Sequence, residues 1–313
     1  MLDVRRLRVL REVAAKGSFS AAAESLSYTQ SAISQQVAAL EREAGTTLVE
    51  RSSRGVRLTD AGRALVGHAE AILSRLADAE SELDSIAGLR GGRLRMTTFT
   101  TAGATIAPRA MVAFRAEHPG VELSLEPGEW PESHERLRAG ETDIALSITA
   151  PFQDGLGEEF ELTHLLDEPM FVLLPAGHRL ALDGDDVRLE DLAEEEWILG
   201  HATLGCPDTR ILTRACQEAG FEPRIAFNSD DYLAIQGFVA AGVGVSMIPD
   251  MALIAIRDDV VVKRVEGVAP QRRIWAATLK GSWRSPAREA MLATLQQVSA
   301  EFTTRRSDLR LVA

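Results

Sequence analysis

The stretch Gly17-Ser18-Phe19-Ser20-Ala21-Ala22-Ala23-Glu24-Ser25-Leu26-Ser27-Tyr28-Thr29-Gln30-Ser31-Ala32-Ile33-Ser34-Gln35-Gln36-Val37 decides how this chain is read. It holds two helix starts and a tight turn in twenty-one residues. Ser18 is an N-cap residue type and precedes a short alanine-rich helix, about Phe19–Leu26, whose small side chains permit close packing. Ser27-Tyr28 makes the turn. Thr29 is placed to cap a third helix that runs to about Ala44 and stops at Gly45. Ala32, Ile33, Val37 and Leu40 recur at helical spacing and predict a core face. Gln30, Ser31, Ser34 and Gln35 cluster at the other edge of the helix start.

The flanks extend this pattern. Upstream, Val4, Leu7, Leu10 and Val13 mark a helix over 3–16 with arginines between them, ended by Gly17. Downstream, Thr47–Thr59 reads as a two-stranded wing with its tip near Ser52–Gly55, carrying Arg51, Arg54 and Arg57. Residues 1–60 therefore predict a mostly helical unit, a winged helix-turn-helix. From Asp60 a long helix runs to about Ala87. Leu65, Ala69, Ile72, Leu76, Ala79, Leu83 and Ile86 step alternately by four and three, a heptad seam that one helix cannot bury alone. The seam predicts pairing with a second copy, the alternative being packing on the chain's own body. Gly88, Gly91 and Gly92 then break the helix and supply a hinge.

Beyond Gly92 the texture becomes alternating strand and helix, which predicts a parallel α/β arrangement. Strands are expected at Arg93–Thr98, Val121–Glu126 and Asp143–Ile148, with helices at Ile106–Glu117 and Glu132–Ala139. A second lobe begins near Asp167. Its strands are expected at Met170–Leu174, Trp197–Leu199, Arg224–Phe227 and Val243–Ile248, its helices at about Asp208–Ala219 and Asp230–Ala241. Near Gly267 the chain returns to the first lobe, adding strand Ile274–Leu279 and helix Pro286–Phe302 before a polar tail from Thr303 that reads as frayed. The expected division is 1–60 head, 61–90 dimerising helix and hinge, and 91–303 sensor, with lobe 1 over 91–166 and 267–303 and lobe 2 over 167–266.

Charge is unevenly spread along the chain. Its 313 residues carry a formal net charge of −12, yet residues 1–60 hold nine Lys/Arg against seven Asp/Glu. An acidic body repels nucleic acid, so any DNA contact falls to the head. The first residues do not read as a signal peptide, because Arg5, Arg6, Arg8 and Arg11 interrupt the apolar positions. No apolar run is long enough for a bilayer. Two cysteines, Cys206 and Cys216, make no disulfide framework and fit a cytoplasmic location. No phosphate-binding glycine loop, metal-ligand motif or nucleophile elbow occurs, so no catalytic residue, metal or cofactor is expected. Gly242-Val243-Gly244 precedes a strand and is no dinucleotide fingerprint.

These motifs resemble those of the LysR-type transcriptional regulators. The quoted stretch matches the family's second and recognition helices. Leu48-Val49-Glu50-Arg51, Arg54-Gly55-Val56 and Leu58-Thr59-Asp60-Ala61-Gly62 match its wing and linker start. Val239-Ala240-Ala241-Gly242-Val243-Gly244-Val245 with Ile248-Pro249 resembles a signature of its second effector lobe. Val49 stands where the family commonly has phenylalanine. The resemblance covers about residues 2–302. It implies a winged helix-turn-helix, a linker helix, and an α/β effector domain of two lobes like a periplasmic binding protein. It also implies a homodimer or dimer of dimers (a homotetramer) that bends promoter DNA and recruits RNA polymerase.

Roles follow from chemistry and resemblance together. Gln30, Ser31, Ser34 and Gln35 are the expected base readers; a glutamine can contact adenine bidentately in the major groove. Arg54 is expected in a minor groove, with Thr29 and Arg51 on phosphates. A solvated polar helix face is the plain alternative. For a small-molecule effector in the cleft between the lobes, the candidates are Thr100, Thr101, Ser147, Thr149, His201, Thr203, Asn228 and Ser229, each of which can instead serve as an ordinary helix cap. Peroxide-sensing members of the same family carry a cysteine pair in this part of lobe 2. Cys206, at a helix start where the dipole can lower a thiol pKa, and Cys216 supply that alternative. On one helix the two thiols would lie about 15 Å apart, too far to bridge without local unfolding. A solute-binding protein or an enzyme is the alternative of another class.

Overall fold

A computed structural model describes residues 1–52, 55–86, 92–153, 155–182, 184–200 and 206–312. The chain divides into two units. One comprises 1–95, 120–122 and 134–143; the other comprises 96–119, 123–133 and 144–313.

The first unit is built from capped helices. Helix α1 spans Val4–Lys16, with Asp3 accepting from the Arg5 and Arg6 amides and Gly17 closing it in the left-handed region. Helix α2 is Phe19–Ser25, capped by Ser18 on the Ala21 amide. Ser27 takes a positive φ of 57° in the turn. Helix α3 is Gln30–Ala44, with Thr29 Oγ1 accepting from the Ala32 amide at 3.2 Å. Leu7, Leu10, Val13, Ala22, Ile33, Val37, Leu40 and Leu48 form the buried core. The wing is the antiparallel pair β1 (Val49–Ser52) and β2 (Gly55–Leu58), in register from Val49↔Leu58 to Ser52↔Gly55. Glu41 of α3 fixes its base, Oε1 accepting from the Leu48 and Val49 amides at 2.9 and 3.2 Å.

Helix α4, Asp60–Ile86, follows directly. Thr59 Oγ1 accepts from the Gly62 amide at 3.0 Å. A Cβ on Gly62 would stand 2.0 Å from the Leu48 carbonyl oxygen, so only glycine lets α4 leave the wing at this angle. The heptad seam divides in two. Leu65 and Ala69 pack into the head core, whereas Ile72, Leu76 and Leu83 are 41%, 46% and 65% exposed. Ala79 is also exposed. Ile86 ends the helix, its side chain outside the description, and Gly88 and Gly91 lie outside the described residues.

The remaining elements run in chain order. They are β3 (Gly92–Thr98), α5 (Thr100–Ala104), α6 (Ile106–Glu117), β4 (Val121–Pro127), α7 (Glu132–Ala139), β5 (Ile144–Thr149), β6 (Phe160–Pro175), β7 (Asp186–Val187) and β8 (Glu196–Leu199). After them come α8 (Pro207–Glu218), β9 (Arg224–Asn228), α9 (Tyr232–Ala240), β10 (Val245–Pro249), β11 (Val260–Val265), β12 (Gln271–Leu279) and α10 (Pro286–Val312). The strand order is β4-β3-β5-β12-β6-β10-β8-β9, with β11 also on β6 and β7 on β11.

Three expectations need correction. The sheet is mixed: β3–β5, β8–β9 and β8–β10 pair parallel, but β12 and β6 run antiparallel to each other and to their outer neighbours. Strand β6 is sixteen residues long, where only its last part was expected. Its first ten residues mix charged and apolar side chains, and their order comes from β12 alongside, which pairs them from Phe160 to Pro169. Helix α10 runs on to Val312 instead of fraying at Thr303. Thr303 and Thr304 return their hydroxyls to the Ser299 and Ala300 carbonyls, each at 3.0 Å, so these polar residues sit within the helix.

The two lobes meet on β6. Up to Pro169 it pairs with β12, and from Met170 onward with β10 and then β11. Gly244 sets the approach of β10 to β8, since a Cβ there would lie 2.3 Å from the Glu196 carbonyl oxygen. That contact explains the glycine of the Gly242-Val243-Gly244 motif as packing.

Candidate functional site: a helix edge and a buried guanidinium

On the head, Gln30, Ser31 and Gln35 are exposed along the N-terminal half of α3, and Ser34 is half-buried beside them. The other face of this helix is locked by Ile33, Val37 and Leu40, so the polar edge is held rigidly outward. Thr29 is exposed but employed, accepting from the Ala32 amide and lying 3.0 Å from the Ser31 hydroxyl. Arg6 pairs with Gln36 at 3.3 Å and with Glu43, fastening α1 to α3 behind that edge. Arg51 belongs to β1, its side chain outside the description, and Arg54 lies outside the described residues. Tyr28, 58% exposed in the turn before α3, is a candidate that sequence reading passed over, taken for a turn residue.

In the second unit the candidate effector residues separate. Thr100 opens α5, and its amide and hydroxyl donate to Glu129 Oε1 at 3.0 and 3.1 Å. Thr101 is buried, its Oγ1 accepting from Arg272 Nη2 at 2.7 Å. Ser147 and Thr149 are buried on β5; Thr149 Oγ1 accepts from Trp275 Nε1 at 2.9 Å. Ser229 accepts from the Asp231 amide at 3.2 Å in the turn before α9, so it caps that turn, and Asn228 is exposed at the end of β9. His201 and Thr203 lie outside the described residues.

The group that gathers around Thr101 was not foreseen. Arg272 of β12 is 1% exposed and donates Nε to Glu168 at 2.7 Å, Nη1 to Asp208 at 2.8 Å and Nη2 to Thr101. Phe99 lies beneath the guanidinium, 5.3 Å from ring centroid to carbon. The Tyr232 hydroxyl donates to Asp208 at 2.9 Å, and the Met251 amide donates to Glu168. Arg272 and Glu168 stand directly opposite across the β12–β6 ladder, one residue before β6 changes partners. Burial disfavours the guanidinium's charge, but Asp208 and Glu168 outweigh it and hold Arg272 above its usual value. Burial likewise pushes the Glu168 carboxyl above its ordinary range despite Arg272. Neither charge fell within an expected strand, which began at Met170 and at Ile274, so the sequence carried no signal for this cluster.

The cysteines do not favour the redox alternative. Cys206 stands just before α8, and Cys216 is buried in the lobe 2 core. A helix dipole can lower a thiol pKa, as the redox alternative required, but burial and then the Asp208 carboxylate push the Cys206 thiol up to about 11. Burial pushes Cys216 up to about 12. Both are therefore held as thiols at neutral pH.

Comparison with known proteins agrees with this architecture. A family model described as "Bacterial regulatory helix-turn-helix protein, lysR family" matches residues 4–63, and one described as "LysR substrate binding domain" matches 87–300. The transcriptional dual regulator GltC of Bacillus subtilis is 32% identical over 251 residues, covering 80% of this chain and 81% of GltC. The crystal structure of full-length CbnR complexed with its target DNA superposes with a TM-score of 0.71 at 25% identity, covering 95% of this chain and all of CbnR. A full-length OxyR variant from Pseudomonas aeruginosa superposes with a TM-score of 0.73 at 24% identity, covering 95% of each chain; this likeness is one of fold and carries no redox chemistry. By its matched domains, its relatives and its fold, the chain belongs to the LysR family of transcriptional regulators.

Proposed function

We propose that the protein reads a promoter through the Gln30, Ser31, Ser34 and Gln35 edge of α3, with Arg54 of the wing in an adjacent minor groove and Thr29 and Arg51 on the backbone. The observation that carries this reading is a short polar edge on a helix whose opposite face is fully buried. Such a helix offers a backbone already ordered, so binding has only the exposed side chains left to order. The exposed Ile72, Leu76 and Leu83 favour a homodimer through α4, and family likeness extends this to a dimer of dimers. A small effector held between the lobes, with Thr100, Thr101, Ser147 and Thr149 from lobe 1 and His201, Thr203, Asn228 and Ser229 from lobe 2, shifts the population of lobe arrangements. That shift alters the spacing of the paired heads, the DNA bend and RNA polymerase recruitment. No cofactor beyond this effector and no catalysis form part of the proposal, which places the protein in the cytoplasm.

The test is a gel-shift titration against the DNA upstream of the protein's own gene, at several salt concentrations. Wild type is expected to bind with a steep salt dependence and with preference over scrambled DNA. The triple variant Gln30→Ala, Ser34→Ala, Arg54→Ala is expected to lose that preference; undiminished selectivity would refute the assignment.

A further inference from the structure

We propose that Arg272 is an interlobe latch whose hydrogen bond to Asp208 fastens the start of α8 in lobe 2 to Thr101 at the start of α5 in lobe 1, and that the protein changes state by making and breaking this pair. The inference rests on the effector-sensing reading above, with which it shares Thr101, and adds Arg272, Asp208, Glu168 and Tyr232, which that reading does not use.

Three observations carry it. The first is position. Arg272 sits beside the point where β6 exchanges β12 for β10, where a change in lobe angle must be absorbed. From there its two Nη groups reach one residue of each lobe, Thr101 and Asp208.

The second is charge. One guanidinium holds two carboxylates, so the cluster carries one anion beyond what Arg272 neutralises. Glu168 is the settled partner: 1% exposed, on the adjacent strand, with Nε on one oxygen and the Met251 amide on the other. Asp208 is the unsettled one. It is 12% exposed, Oδ2 takes both Arg272 and Tyr232, and Oδ1 is buried with no hydrogen-bond partner among the described residues. A buried acceptor left unsatisfied pays its desolvation without return. If Asp208 swings out to water, Oδ1 is satisfied and Arg272 keeps a neutralising partner in Glu168. The Asp208 arm is thus the weak joint of an otherwise fixed cluster, which is what a two-state element requires.

The third is access to the candidate effector residues. Thr101 Oγ1 is already taken by Arg272, so a ligand that uses this hydroxyl as an acceptor has to share or displace that bond. Binding at Thr101 and release of Asp208 are thereby coupled through a single side chain.

The experiment uses the full-length protein and amide hydrogen exchange, with no effector needed. Asp208→Asn removes the charge and keeps the shape; Thr101→Val removes only the lobe 1 hydroxyl. The latch predicts at least tenfold faster exchange at the Gly103 amide of α5 and the Arg210 amide of α8, which donate to the Phe99 and Cys206 carbonyls, in each variant, with β8 and β10 unchanged. The decisive result is that Thr101→Val loosens α8, which among the described residues it reaches by hydrogen bonds through Arg272. Loosening confined to the substituted helix, or a uniform loss of protection across the lobe, would overturn the latch and leave the cluster a packing feature. Tyr232→Phe, which removes one hydroxyl from Asp208, guards against misfolding of the other variants and is expected to loosen α8 in the same direction; unchanged exchange there would also count against the latch. Footprints on the upstream DNA separate the two ideas. If Asp208→Asn binds but its footprint matches wild type, the latch does not signal. If wild type does not bind, the regulator reading fails while the exchange result stands.

Discussion

Replacing Arg272 by methionine tests the energetics of the buried cluster. The substitution preserves most of the side-chain volume, so little of its cost comes from a cavity. What it removes is the guanidinium that, among the described residues, faces both Glu168 and Asp208, which are 1% and 12% exposed. Stripping one partner from a buried ion pair costs about 3–5 kcal/mol, because the remaining charge is left uncompensated. Protonation sets a ceiling. A carboxyl with an ordinary pKa near 4.3 is neutralised at pH 7.5 for about 4 kcal/mol, and Glu168, already raised by burial, for less. The expected loss at pH 7.5 is therefore about 3–4 kcal/mol. Its pH dependence has a definite sign. A carboxyl whose pKa is raised by folding takes up its proton more readily folded than unfolded, so acidification favours the folded variant. The loss should shrink as pH falls from 7.5 toward 5.5. Urea unfolding followed by tryptophan fluorescence measures this in the right place, since Trp130, Trp197, Trp275 and Trp283 all belong to the second unit. Glu168→Gln, which removes the surplus charge and keeps a hydrogen-bonding oxygen, should cost less than half as much. A loss under about 1 kcal/mol for Arg272→Met at pH 7.5, or one that grows on acidification, would refute the reasoning.

Other outcomes follow from the same geometry. Gly62→Ala forces a Cβ against the Leu48 carbonyl and should destabilise the head by about 1–3 kcal/mol, read as a lowered midpoint in circular-dichroism melting and weaker operator binding; a wild-type melt would contradict the contact. The double substitution Leu76→Glu, Leu83→Glu places like charges on the exposed seam and should shift the protein to monomers in sedimentation velocity; an unchanged sedimentation coefficient would place the dimer contact elsewhere. Cys206, with its thiol pushed up to about 11, should react with iodoacetamide at pH 8 about a hundredfold more slowly than a free cysteine, and a rate matching free cysteine would reopen a redox role.

The head was legible from the chain because its instructions are local. Ser18 and Thr29 cap the helices whose first residues they precede, and Gly17 and Gly45 end two helices in the left-handed region. Each signal acts within a few residues, and the apolar spacing of α1 and α3 specifies which face is buried. The same locality made α4 readable as a helix, although the first two seam positions, Leu65 and Ala69, pack into the head core. In the body, periodicity located most strands and helices but not their pairing, so the antiparallel crossing of β6 and β12 and the full length of β6 escaped. The latch cluster escaped for the same reason. Arg272 lies 104 residues from Glu168, 64 from Asp208 and 171 from Thr101. No repeat or spacing relates positions so far apart. Only the closing of the sheet brings β12 beside β6 and aims α5 and α8 at one guanidinium, and an arginine in a strand acquires its partners from that packing, not from its neighbours in sequence.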